Sequence, residues 1–232
     1  MVGASMVEPV KKSTEAIVQE LVWSSDSESV FLDSRLALFG EKGSWLALSD
    51  LHYGFEVRRR AKGGLFPMWG RETIEARVDE LLGDYQPEYL ILNGDIVDGA
   101  SSGCGEVVDW LKSLESKCGQ LILIEGNHDR GPLLREMRFV RQFRIGEFLF
   151  HHGHLPRRKD ESVGVEVVGH VHPCFTYRDG AGLSIKLPAL IQEEKRWVMP
   201  AFSPWAGGVN CPAEEKETMW ACSPGRIFPV SR

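Results

Sequence analysis

The chain has 232 residues, 43 % hydrophobic and 26 % charged, with a formal net charge of -6, the make-up of a globular protein with room for one sizeable core. No uncharged apolar run approaches the roughly 18–20 residues of a membrane span, and residues 1–12 hold no apolar block of signal-peptide length, which argues against membrane insertion and secretion. Five cysteines, an odd number without a Cys-x-x-Cys pair, argue against a disulfide framework and for a cytoplasmic setting, and the acidic balance argues against coating nucleic acid by bulk charge.

In chain order, residues 1–28 read as an N-terminal extension, partly disordered, with a weak helical pattern at Ser13–Leu21; residues 29–232 read as a single domain. Short apolar runs at Trp45–Leu48, Tyr89–Leu92, Leu121–Ile124, Phe148–Phe150 and Val165–Val168 have the length and composition of buried strands. Helical spacing at Arg71–Tyr85 (Ile74, Val78, Leu81, Leu82) and Glu106–Ser116 (Val107, Val108, Leu111, Leu114) places helices between the first three. Strand and helix in alternation predict an α/β sheet, while the second half, lacking comparable helices, predicts more antiparallel pairing. Each predicted strand ends at a polar motif, where ligands of α/β sheets bind.

Those motifs hold all seven histidines, inside four strings that total fourteen residues: Asp50-Leu51-His52, Asn127-His128-Asp129, His151-His152-Gly153-His154 and Gly169-His170-Val171-His172. Histidines used for packing would scatter, so the confinement points to one shared task. Asp50 and His52, like His170 and His172, stand two apart, so an extended backbone would project both from one face. Gly94 permits the turn that exposes Asp95, whose two carboxylate oxygens can bridge two cations. Counting donors gives Asp50, His52 and His172 for one ion, Asn127, His152 and His170 for a second, and Asp95 between them. Nitrogen and oxygen donors without thiolate suit two divalent ions, manganese first and then iron, zinc or nickel. Two ions roughly 3.5–4 Å apart are a standard device for phosphoryl-ester displacement, activating water near neutral pH. Asp98 and Asp129 are readable either as orienting acceptors or as turn caps.

The ordered set D-x-H, G-D-x-x-D, G-N-H-D, H-G-H and G-H-x-H, spanning Asp50–His172, resembles the calcineurin-like metallophosphoesterase family. The resemblance implies a four-layer αββα sandwich of two mixed sheets flanked by helices, the ligand roles given above, and His128 as the catalytic acid that meets the phosphate and protonates the leaving oxygen. Met199–Asn210 is similar to the tail of the ligase-associated DNA damage response endonuclease subgroup, implying a Mn²⁺-dependent DNA endonuclease or phosphodiesterase in DNA repair, with a DNA ligase or helicase as partner. Asp95-Ile96-Val97-Asp98 departs from that subgroup, where an acid-x-x-His string is expected.

Basic residues follow the motifs: Arg58-Arg59-Arg60, then Arg130, Arg135, Arg138, Arg141 and Arg144, then Arg157-Arg158-Lys159. They read either as a solvated face or as a rim for a polyanion. Trp69 and Trp205 read either as loop packing or as stacking partners for a base. Arg58, Arg130, His154 and Trp205 are the candidate substrate contacts; His151 carries no assigned duty. The expected activity is hydrolysis of phosphodiesters, with phosphomonoesters or cyclic nucleotides as alternative substrates and a non-catalytic scaffold as the remaining class.

Overall fold

The structure, a computed structural model, describes residues 17–25, 27–99, 104–156, 162–178, 180–211 and 217–230. In chain order the elements are β1 (Val18–Leu21), β2 (Val30–Asp33), β3 (Ala37–Gly40), β4 (Trp45–Leu48), α1 (Phe55–Ala61), α2 (Gly70–Tyr85), β5 (Tyr89–Asn93), α3 (Cys104–Glu115), β6 (Gln120–Ile124), α4 (Leu133–Glu136) and β7 (Phe139–Val140). There follow β8 (Phe143–Ile145), β9 (Phe148–Phe150), β10 (Val165–Val168), β11 (Pro173–Arg178), β12 (Ser184–Gln192), β13 (Arg196–Val198), β14 (Val209–Asn210), β15 (Thr218–Ser223) and β16 (Arg226–Val230).

Every strand and both helices expected from apolar patterning are present: the runs form β4, β5, β6, β9 and β10, and the helical spacings form α2 and α3. The weak helical pattern at Ser13–Leu21 is corrected where it can be seen. Val18–Leu21 form a strand antiparallel to β2, and Trp23 just beyond packs on Phe148 and Trp197. A free sheet edge supplies hydrogen bonds and a place for Leu21 in the core, which outweighs a marginal helix propensity. Ser13–Ala16 lie outside the described residues.

One sheet runs β1-β2-β3-β4-β5-β6-β7, antiparallel up to β4 and parallel from there, with α2 and α3 as the crossovers. The second runs β14-β11-β12-β13-β10-β9-β8 and carries the β15–β16 hairpin on β12; β9, β10 and β13 are parallel. This is the mixed, two-sheet α/β sandwich expected, with the described helices all preceding Phe139. The sheets share one core. Trp45 on β4 meets Phe148 and Phe150 on β9, with ring centroids 5.3 and 5.1 Å apart. Truncating a buried aromatic costs roughly 3–5 kcal/mol, so this contact is a large share of the clamp between sheets. Asn93 Nδ2 donates to the Val167 carbonyl at 3.3 Å, tying the ends of β5 and β10 together. Among the described residues no helix is long and apolar enough to cross a membrane.

Candidate metal centre

The shared core brings the carboxyl ends of parallel strands from both sheets to one edge. Asp50 and His52 follow β4, Asp95 and Asp98 follow β5, Asn127 and His128 follow β6, His152 follows β9, and His170 and His172 lie between β10 and β11. The extended geometry expected for Asp50-x-His52 and His170-x-His172 is not what forms. Asp50, His52, Asp95, His170 and His172 all have left-handed backbones, with φ of 56°, 47°, 48°, 69° and 52°. An extended chain would carry the donors past the sheet edge; the left-handed turns fold them back towards a common centre, at a cost of about 1–2 kcal/mol per residue. Hydrogen bonds between loops hold the turns: Asp50 N donates to Gly94 O, His52 N to Asp95 O, and Ser203 N to Asp50 O. Gly94 serves more than its own turn (φ 83°), because a Cβ there would occupy the His152 ring.

Two clusters of ligand atoms result, with Asp95 in both. In the first, His172 Nε2 lies 3.0 Å from Asp50 Oδ1 and 3.2 Å from His52 Nε2, and His52 Nε2 lies 3.9 Å from Asp95 Oδ2. In the second, His152 Nε2 lies 3.3 Å from Asp95 Oδ2 and 3.2 Å from Asn127 Oδ1, and His170 completes the group. Donors about 2.1 Å from one cation lie roughly 3.0–3.4 Å from each other in octahedral or tetrahedral geometry, so four of these five spacings fit a shared metal ion as they stand, and the His52–Asp95 pair is wider. Asp50 is fully buried, with both oxygens taking the His170 amide at 3.1 Å and Ser49 Oγ at 2.7 Å from Oδ2. Burial would raise the Asp95 carboxyl, but hydrogen bonding and charge from His152 and the His128 amide outweigh it and hold the group at about 2. The candidate ligand is therefore ionised at neutral pH.

A third cluster, His52, Asp98 and His128, has a different character. Asp98 Oδ1 is 3.1 Å from His128 Nδ1, 3.5 Å from His52 Nδ1 and 3.2 Å from Arg58 Nη1. A guanidinium on the same oxygen makes it a poor cation ligand and a good orienting acceptor. Burial opposes ionisation of Asp98, yet the contacts with His128 and His52 hold it well below the usual carboxylate range, and the same bond to Asp98 raises His128. Asp129 does something else. Its oxygens accept from Val97 N at 3.1 Å and Gly126 N at 2.9 Å, clamping the β5 and β6 loops, while burial pushes its carboxyl up to about 6.

Arg58 thus reaches the site through Asp98, and Arg130 donates Nε to the Asn127 carbonyl at 3.1 Å from an exposed position. His154 stands beside the second cluster, its ring 5.2 Å from His152 and 6.2 Å from His170, with a buried Nδ1 that meets no described partner. His151 points away, 3.8 Å from Glu166. Trp205 stacks in an aromatic group with Trp69 (4.4 Å), Phe66 (5.6 Å) and Phe55 (6.4 Å), so packing is met, while Trp69 remains 45 % exposed. The basic run Arg157–Lys159 lies outside the described residues. Sequence patterning missed Ser49 and the amides of Phe202 and Ser203, which brace the Asp50 loop. Backbone hydrogen bonds leave no residue-type signal.

Comparison with known proteins agrees with this geometry. A family model described as calcineurin-like phosphoesterase matches residues 45–178. No curated protein matches. Among solved structures, the crystal structure of Pseudomonas putida nuclease MPE is similar, with a TM-score of 0.72 and 24 % identity over 92 % of this chain and 100 % of that one. Matched over more than half its length and carrying a cation-ready cluster of the right donors, the chain belongs to the calcineurin-like phosphoesterase family and is a metal-dependent hydrolase of phosphoester bonds.

Proposed function

We propose that the protein hydrolyses phosphodiester bonds, with DNA as substrate, using two divalent ions held by Asp50, His52, Asp95 and His172 and by Asp95, Asn127, His152 and His170. The observation that carries this reading is the Asp95 carboxylate shared between two nitrogen and oxygen clusters. When bound, such ions supply Lewis-acid charge for the phosphoryl oxygens and ease deprotonation of the attacking water; the donor set favours manganese. His128 holds the proton for the leaving oxygen. Asp98 occupies its Nδ1 and raises its affinity for a proton, and the side chain, 35 % exposed, keeps its other nitrogen within reach of substrate. Developing negative charge on the leaving oxygen is met by that proton.

A nucleic-acid substrate is supported by the similar fold of a nuclease, by exposed Trp69 beside Trp205, and by Arg58 and Arg130 at the rim. A role in DNA repair in the cytoplasm is the setting this reading implies. The test is a panel of aryl monoester, aryl diester, single-stranded DNA and duplex DNA, assayed with Mn²⁺ and with a chelator. Turnover of the diester and of DNA, abolished by the chelator, is expected. A monoester turned over faster than every diester would reassign the protein as a phosphomonoesterase.

A further inference from the structure

A cleft of about 1030 Å³ opens beside His172 and runs between α2, β11 and the 203–208 loop. It exceeds the space a single phosphate needs and is at the upper end of ordinary ligand sites. Three cations and one carboxylate, Glu80, line it, and the cations differ in their surroundings. Arg35 is neutralised by Asp33 at 2.7 Å and Asp84 at 2.8 Å, so its charge is spent inside the fold. Arg77, on α2, gives Nη1 to the Phe202 carbonyl at 3.0 Å and lies 4.9 Å over the Phe202 ring; among the described residues no carboxylate forms an ion pair with it. Burial pulls its guanidinium below the usual range, with Glu80 the one charge that opposes this. Lys186, on β12, holds Nζ 3.3 and 3.4 Å from the Gly207 and Gly208 carbonyls. Its ammonium also meets no carboxylate among the described residues.

Both cations are set by the Met199–Asn210 segment. Amides of Phe202 and Ser203 donate to the Ser49 and Asp50 carbonyls, while carbonyls of Phe202, Gly207 and Gly208 receive Arg77 and Lys186. One segment therefore braces a candidate metal ligand on one side and, on the other, two cations that no carboxylate ion-pairs among the described residues. Carbonyl oxygens orient a cation but do not cancel its charge, so an anion entering this cleft meets two prepared donors.

We propose that this cleft binds the phosphate next to the scissile one, together with its nucleoside, in a polynucleotide substrate, and that Arg77 and Lys186 are the residues that hold it. The assignment rests on the phosphodiesterase reading and deepens it. The test compares p-nitrophenyl esters of thymidine monophosphate and of dithymidylate, in the 3′ and 5′ series, which share a leaving group and differ by one nucleotide, that is one internucleotide phosphate and its thymidine. The wild-type enzyme is expected to favour the dithymidylate ester in one series by roughly tenfold in kcat/KM, the scale of a charge-assisted contact. R77Q and K186Q should each shrink that ratio several-fold, and a neutral methylphosphonate in place of the added phosphate should do the same to wild type but little more to R77Q. Should R77Q melt early, R77M, which keeps the aliphatic stem and removes the charge, and the exposed K186Q carry the comparison. Equal turnover of mono- and dinucleotide esters, or an unchanged ratio in K186Q and the folded Arg77 variant, overturns the subsite and leaves the phosphodiesterase reading standing. No turnover of any diester overturns that reading and the subsite with it.

Discussion

Asp98→Asn separates orientation from charge at His128. Asparagine keeps an oxygen that can accept from His128 Nδ1, now 3.1 Å away, but removes the charge that raises the imidazole. A hydrogen bond to a charged group contributes about 1.5–3 kcal/mol. His128 is 35 % exposed, so solvent screening leaves about 1 kcal/mol. Losing the charge therefore lowers the affinity of His128 for its proton. An acid works only while protonated, so activity falls as pH rises through its pKa. The alkaline limb of the rate profile should therefore move to lower pH, with roughly tenfold loss at the optimum from imperfect orientation. Asp98→Ala, which removes the acceptor as well, should cost about tenfold more. The assay is aryl-diester turnover against pH, with metal content measured on each variant because Asp98 also lies 3.5 Å from His52 Nδ1. An alkaline limb at the same pH in Asp98→Asn and wild type refutes the dyad. Loss of an ion in both variants would instead make Asp98 a ligand.

Four further outcomes are expected. Asp95→Asn should empty both candidate ion positions, seen as metal content near zero by mass spectrometry; full occupancy would remove Asp95 from the bridging position. His128→Ala should keep its metal and lower kcat by about 10² or more on a diester with a poor leaving group, a typical contribution of an acid; an undiminished rate assigns the proton elsewhere. Asp129→Ala leaves the Val97 and Gly126 amides without acceptors, at about 1–3 kcal/mol each, so Tm should fall by roughly 5–15 °C in a thermal melt; a drop below about 2 °C would deny the clamp. Chelation should abolish activity and lower Tm, and added Mn²⁺ should restore both; at a free ion concentration about a hundredfold above its Kd each site returns about 2.7 kcal/mol.

The readable features were those that a side chain must satisfy by its own chemistry. Leu-rich apolar runs at β4, β5 and β6 announce buried strands, and Asp, Asn and His at their ends announce candidate cation ligands, because few other residue types serve either need. Features settled by the backbone were not readable. The left-handed turns at Asp50, His52, Asp95, His170 and His172 sit on residues with a Cβ, and although Asp and His visit that region more than most non-glycine types, type alone does not say which of them will. The paired residues do converge, but through left-handed turns and not through the extended backbone that two-residue spacing suggests. Asp98 and Asp129, equivalent in sequence as acids near a turn, part only in space: one faces His128 and Arg58, the other takes two amides. Val18–Leu21 likewise becomes a strand because β2 offers it an edge, a partner that no local window contains.

The turns also explain why the C-terminal quarter of the chain matters to a site whose candidate ligands all precede Pro173. Five left-handed residues at about 1–2 kcal/mol each amount to roughly 5–10 kcal/mol, comparable to the whole stability of a typical domain. Such strain persists only where surroundings over-determine it. Here the β5 loop receives the amides of Asp50 and His52, Asp50 receives the amide of His170, and the 199–210 segment gives two amides to Ser49 and Asp50. Removing any one strand of this stitching leaves the others to hold a conformation each residue disfavours. Sensitivity of the centre to substitutions in the 199–210 segment then follows from backbone strain, before any contact with substrate is considered.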